Sequence, residues 1–302
     1  MDKQIITVYE ENSTLLGYAW KEEKVEGHVV IVSGMEEYAA RYERLALFLC
    51  ENHFDVYSLD FFGQGLNVQK GSNSLGAVPE KAFKIYVEAI RTMIRKLSSS
   101  DGKPVYIIAH SMGSFIAQKV VQNPDLPVKG VVLSGSNGPD ISFKLGSFLS
   151  SILINRRNWN KKAVFFNNLA FGGYAKAVPG AKTKFDWLSY NEENVKNYIA
   201  DLYCGYGSTN GFYHEFMHFL AHLYSAKGLR QVEKDLPILL IAGAEDPVGH
   251  NGKGVEKLNN LYHRHKLNEV TKIIYHHMRH EIFNEKDYLL VYQDVLSFIK
   301  KI

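Results

Sequence analysis

Three observations predict an α/β fold: a mostly parallel sheet of eight strands, flanked by helices. First, apolar β-branched runs alternate along the chain with amphipathic segments, the pattern of strand–helix–strand crossovers. Several of the runs are apolar at consecutive positions rather than at every second one. That suits strands buried on both faces, as in a parallel sheet. Second, the stretch from Val105 to Gly113, VYIIAHSMG, passes from such a run into a small-residue turn with a serine at its apex. The amphipathic FIAQKVVQ follows at once, so the order is strand, sharp turn, helix. Third, the rhythm stops between Ser134 and Ile238. About a hundred residues there show helical periodicity, are rich in aromatic side chains and contain no clear strand. A stretch so long is not a bare loop. It predicts a helical insertion over one end of the sheet, after the sixth strand.

Taken in order, the chain opens with strands over residues 5–9 and 15–20, separated by the polar ENST turn. They read as an antiparallel hairpin near one edge. Further strands are predicted over 28–33, 55–60, 105–109, 130–134, 238–242 and 270–275. Amphipathic helices are predicted over 40–52, 80–97, 114–122, 254–263 and 285–300, giving right-handed crossovers. The expected division is a core of residues 1–135 and 236–302 and a helical cap of residues 136–235. No internal repeat or low-complexity tract interrupts it.

Bulk properties narrow the function classes. The 302 residues carry a formal net charge of +3, too small to imply a nucleic-acid partner. Hydrophobic and charged contents of 46% and 22% are those of a soluble globular protein. Cys50 and Cys204 are too far apart for a metal or redox spacing. The polar N-terminus MDKQIITVYEENS lacks signal-peptide character, and no apolar run approaches the roughly 20 residues of a spanning helix. The expectation is a cytoplasmic protein.

The chemistry centres on Ala109-His110-Ser111-Met112-Gly113, one residue away from the G-x-S-x-G nucleophile elbow. Its small residues let strand and helix approach closely around a strained serine. A serine hydroxyl needs a base, and the base needs an orienting acid. In such a sheet both belong in loops after later strands, acid before histidine. GAEDPVG after the seventh strand offers Asp246, with Glu245 an adjacent competitor. HHMRHE after the eighth offers His280, with His276 and His277 competing. Asp246 also precedes a proline and suits a turn start. Two backbone N–H donors should face the developing oxyanion. One is expected at Met112, the residue after the serine, and the other at Met35, in the turn SGMEEYAARY after the third strand.

These stretches resemble the α/β-hydrolase superfamily, and within it the monoacylglycerol lipase and lysophospholipase-like branch related to serine aminopeptidases. The matching pieces are SGMEEYAARYERLALFL, LDFFGQG, IIAHSMGSFIAQ, IAGAEDPVG and RHEIFNE. The resemblance implies Ser111 as nucleophile, Asp246 as acid and His280 as base, with oxyanion donors at Met35 and Met112. It also implies a cap gating an apolar acyl pocket, and no metal or organic cofactor. Three positions depart from the pattern: Ser33 and Gln64 where histidine is common, and Ala109 for the first elbow glycine. None is a triad member. The Ser33 change falls on the hydrogen bonding that braces the oxyanion turn, and so bears on the rate rather than the chemistry.

Competing readings remain. His214-Glu215-Phe216-Met217-His218 is a formal H-E-x-x-H zinc-protease string. Its third ligand is poorly supplied: His222 is too close, and Glu233 follows a helix-breaking stretch. The string falls inside the expected cap and reads better as a helix face. A serine aminopeptidase or amidase would use the same triad, and a non-catalytic binding protein would need none of it. The segment 143–155, with Trp159, Phe165, Phe166, Phe171, Tyr174 and Trp187, makes an apolar roof that suits an acyl chain. It serves as the cap's own core, or also as pocket wall and lipid-docking surface. Cys204 reads as a buried thiol. The expected substrate is a small lipid or ester, with transient membrane-surface contact through the cap.

Overall fold

The computed structural model describes residues 2–68 and 74–302. Among them the chain forms one eight-stranded sheet in the order β1-β2-β4-β3-β5-β6-β7-β8. Strands β1 (Asp2–Glu10) and β2 (Ser13–Lys21) are the predicted hairpin, and β2 pairs antiparallel with β4 (Phe54–Leu59). From β4 the ladder is parallel through β3 (Gly27–Val32), β5 (Val105–His110), β6 (Gly130–Ser134), β7 (Ile238–Gly243) and β8 (Val270–Tyr275). Every residue of β3 to β7 is buried, as the unbroken apolar runs predict. Strand β8 closes the far edge and leaves Thr271 and Lys272 exposed.

The pleat sends successive side chains to opposite faces, so the runs feed two cores. Val30, Val32, Ile107 and Leu240 pack with helices α2 (Ala82–Asp101), α3 (Met112–Val120) and α9 (Lys253–Arg264). Val29, Ile31, Ile108 and Ile241 pack with α1 (Glu43–Glu51) and α10 (Tyr288–Lys301). Local geometry shortens some predicted helices. A 3₁₀ turn, Ala39–Tyr42, precedes α1, and another, Ile282–Asn284, precedes α10. Helix α2 runs on to Asp101, where Gly102 takes a left-handed φ of 71° and ends it.

Between β6 and β7 lie α4 (Ile141–Leu153), α5 (Val164–Phe171), α6 (Glu192–Ala200), α7 (Asn210–Leu223) and α8 (Ala226–Leu229). Side-chain caps start α4 at Asp140, α6 at Asn191, α7 at Thr209 and α8 at Ser225. Helix α7 seats the insertion on the core: Phe83 of α2 stacks on Phe216 and Phe219 at 5.3 and 5.0 Å between ring centroids. A small separate core gathers Val178, Trp187, Leu188, Tyr198 and Cys204. No helix among the described residues is long and apolar enough to cross a membrane.

Candidate active site

Strand β5 ends at His110, and α3 starts at Met112. Ser111 between them is held at φ 51°, ψ −121°, a conformation that L residues rarely adopt. The close approach needed on the far side is visible at Gly113, where an added Cβ would lie 2.1 Å from the Val32 carbonyl oxygen. The Ser111 N–H donates to the Ser134 carbonyl at 2.9 Å, tying the elbow to β6. The geometry is that of a nucleophile elbow, and Ala109 fits at its first position with no exposed surface.

The loops after β7 and β8 bring Asp246 and His280 together. His280 Nδ1 lies 2.9 Å from Asp246 Oδ2, and both side chains are buried. The pair assigns the Nδ1 proton to the bond with the carboxylate and leaves Nε2 as the basic nitrogen. Asp246 also starts its turn, since its other oxygen accepts the Val248 N–H at 2.9 Å. Burial alone would raise the Asp246 carboxyl. The His280 charge and hydrogen bond hold it below its ordinary value instead. Burial would lower His280, but Asp246 outweighs it and holds the imidazole above the ordinary 6.5. The competitors are placed elsewhere: Glu245 takes the Tyr190 hydroxyl and faces His277 at 3.7 Å, while His276 and His277 are exposed.

Ser111, His280, Met35 and Met112 all open on one cavity of about 1010 Å³. Ser111 makes no hydrogen bond to His280 among the described residues. Catalytic hydrogen bonds are often long without substrate and tighten on binding. The N–H groups of Met35 and Met112 likewise reach no acceptor within the described chain. They are two free donors beside the serine, the requirement for an oxyanion hole. The rest of the wall is largely apolar, with Phe115, Phe143, Leu149, Phe166, Phe216 and Leu220 among its residues.

Several supporting groups were not legible in the sequence. The His280 ring lies between two others, His110 at 4.7 Å and Trp187 of the insertion at 5.4 Å. Burial, with the neighbouring His280, pushes His110 down to about 3, so it packs there as a neutral ring. Gly135 makes room for His280, since a Cβ there would sit 2.9 Å from its Cε1. A buried charge network braces the turn after β3. Glu37 Oε1 accepts the Gly34 N–H at 2.5 Å and the Tyr42 hydroxyl at 2.6 Å. Arg41 binds Glu37 at 2.7 Å and forks onto both oxygens of Glu281, next to the histidine, at 2.7 and 2.8 Å. Burial would raise Glu281, and Arg41 holds it far below the usual carboxylate range. A signal existed in the acidic-basic cluster EEYAAR, but nothing local named its partner 240 residues away.

Of the two histidine departures, Gln64 Nε2 donates to the Gly34 carbonyl at 3.3 Å, and Ser33 Oγ is buried without a partner among the described residues. The H-E-x-x-H string lies along α7. There His218 is shared with Ser147 at 3.2 Å and Ser151 at 2.9 Å of α4, and His222 bonds the His218 carbonyl. Cys204 is buried, and burial pushes its thiol far above the ordinary value.

An eight-stranded sheet flanked on both faces, with a strained serine turn after β5, defines an α/β-hydrolase. The chain belongs to the family described as serine aminopeptidase, S33, whose model matches residues 23–287. It is 25% identical over 271 residues to a probable lysophospholipase L2 of Haemophilus influenzae, covering 86% of this chain and 78% of that one. It is 25% identical to a monoacylglycerol lipase of Mycolicibacterium smegmatis, covering 90% of this chain and 88% of that one. A thermostable carboxyl esterase of Bacillus coagulans, solved with glycerol, superposes with a TM-score of 0.90 at 23% identity. That match covers 100% of this chain and 99% of the esterase, and it speaks for the fold.

Proposed function

We propose that the protein is a serine hydrolase that cleaves carboxylic esters of apolar acyl chains, with Ser111 as nucleophile, His280 as base and Asp246 as its orienting acid. The observation that carries the reading is that the strained serine and the Asp246-bound histidine open on the same largely apolar cavity. Relatives named lysophospholipase and monoacylglycerol lipase support a carboxylic ester hydrolase. In the first step His280 Nε2 takes the Ser111 proton as the oxygen attacks the ester carbonyl. The Met35 and Met112 N–H groups hold the tetrahedral oxyanion. The alcohol leaves with the proton from His280, and water, activated by the same imidazole, releases the acid. No step calls for a metal or an organic cofactor.

The family description names aminopeptidases, but the cavity's charges favour the ester. An α-ammonium group needs a free carboxylate. Of those in the wall, Glu37 and Glu281 are held by Arg41, and Asp140 faces Lys257 at 3.5 Å. In this reading residues 136–235 act as a cap over the core of 1–135 and 236–302. Helix α4 turns Ile141, Leu145, Phe148 and Ile152 outward, beside the exposed cations Lys144, Arg156 and Arg157. Apolar side chains rimmed by cations suit transient contact with a lipid surface. Labelling with a fluorophosphonate, followed by peptide mapping, is expected to mark Ser111. A rate series over p-nitrophenyl esters is expected to favour acyl chains longer than acetyl. An unlabelled Ser111 would remove the enzyme reading, and a sharp acetyl preference would remove the lipolytic one.

A further inference from the structure

The residue after Met35 is a buried carboxylate that the chemistry above does not use. Glu36 sits at φ +57°, a left-handed conformation unusual for a non-glycine residue, and is only 4% exposed. Its side chain reaches across to the insertion. Oε1 accepts the Ser208 hydroxyl at 2.9 Å, and Oε2 accepts the Gly207 N–H at 3.1 Å. Its main-chain carbonyl accepts the Gly205 N–H at 3.2 Å and the Tyr198 hydroxyl at 3.1 Å. All four donors lie between residues 198 and 208, in α6 and the loop leading to α7. Lys162, whose charge acts on Glu36, binds the Leu75 and Gly207 carbonyls with its ammonium group. Among the described residues the Glu36 carboxylate is met by neutral donors only, and burial pushes it up.

Strained backbone persists where the surroundings over-determine it. The turn from Gly34 to Glu37 is gripped twice. Glu37 fixes it to the core through the Gly34 N–H, Tyr42 and Arg41. Glu36 fixes it to the insertion. Met35 lies between the two grips and lines the cavity, and its N–H has no acceptor among the described residues.

We propose that Glu36 is a positioning residue: by clamping the 205–208 loop it sets the direction of the Met35 N–H, so that seating of the cap and completion of the oxyanion hole are one event. The inference rests on the proposed role of Met35 as an oxyanion donor. It makes the hole weaker whenever the 205–208 loop lifts, even with Ser111, His280 and Asp246 undisturbed.

Three single variants separate this role from packing. Glu36→Gly adopts the positive φ without strain and removes the carboxylate with the rest of the side chain, while the main-chain carbonyl that accepts from Gly205 and Tyr198 stays. Ser208→Ala removes one donor from the cap side. Glu36→Gln keeps both hydrogen bonds, because its carbonyl oxygen accepts the Gly207 N–H while its amide donates to the Ser208 oxygen. Each is counted by complete fluorophosphonate labelling, then assayed on a short p-nitrophenyl ester and titrated with an alkylboronic acid. The boronate's tetrahedral adduct places an oxygen in the hole. For Glu36→Gly the expected result is a kcat about tenfold lower, the scale of a small misplacement of a catalytic donor. The boronate Ki rises in parallel and KM is unchanged. Ser208→Ala shifts in the same direction, and Glu36→Gln recovers most of the loss. Wild-type kcat in Glu36→Gly, or a raised KM at unchanged kcat, overturns the proposal while leaving the esterase reading intact. A wild-type chain without ester turnover overturns both. If Glu36→Gly does not fold, Ser208→Ala decides by the same kcat and Ki criteria.

Discussion

In β5 all six side chains from Val105 to His110 are buried, as an apolar strand at the middle of a sheet requires. Helix α4 does the reverse. It buries Gly146, Ser147 and Ser150 and leaves Ile141, Leu145, Phe148 and Ile152 exposed, Phe148 by 63%. Close packing on α7 explains the choice, since a Cβ at Gly146 would lie 2.7 Å from Met217 Sδ. Small residues let the two helices approach, and the large ones are displaced outward or, like Phe143 and Leu149, into the cavity wall. The sheet's residues hold the fold together. The large apolar residues of α4 serve surfaces, one inside the cavity and one facing solvent. The proposed catalysis joins the two regions, because His280 is built on the core and packs against Trp187 from the insertion.

The sharpest test of that division is at the elbow, which belongs wholly to the core. Ser111→Ala is expected to lower ester turnover by roughly 10⁵–10⁶-fold with the unfolding midpoint unchanged. Asp246→Asn should cost about 10⁴-fold by unsettling the tautomer of His280. The pH profile carries the same information. The base must be neutral, and its pKa in the folded protein is raised above 6.5, so activity is lost as pH falls through that raised value. The acid limb of kcat/KM therefore lies above pH 6.5 in the wild type and moves down in Asp246→Asn.

Stability should divide the regions next. Arg41→Met leaves Glu37 and Glu281 buried without their cation, and urea unfolding should show a loss of about 3–5 kcal/mol. Ile107→Ala, at a site with no exposed surface, is expected to cost about 2–5 kcal/mol. The smallest stability effect belongs to α4. Phe148→Asp should change unfolding by no more than about 0.5 kcal/mol. It should nevertheless reduce co-sedimentation with anionic phospholipid vesicles. Unchanged vesicle binding would leave the exposed face of α4 without its lipid role, and a large stability loss would mean that the face is buried in solution.

Much of the site could be read from residue order. Strands appear as apolar runs, and the loops after β7 and β8 carry the candidate acid and the candidate base in turn. The exposed face of α4 could not be read, because a helix apolar on most sides does not declare which side packs. Nor could the brace of Arg41 on Glu281, or the clamp of Glu36 on Ser208. Those partners are separated by 240 and 172 residues and meet only because β3, β8 and the insertion converge at one end of the sheet.

The amino-acid sequence by itself determined the alternation of strand and helix, the serine elbow, the order of serine, acid and histidine, and the presence of an aromatic-rich insertion. These are local matters of side-chain period, turn sterics and chain order. Tertiary structure alone decided that Asp246 rather than Glu245 meets the histidine, and that His280 rather than His276 or His277 is buried against it. It also decided that the turn after β3 is gripped from both the core and the insertion. Burial and charge pairing depend on which distant segments meet, and no local pattern encodes that.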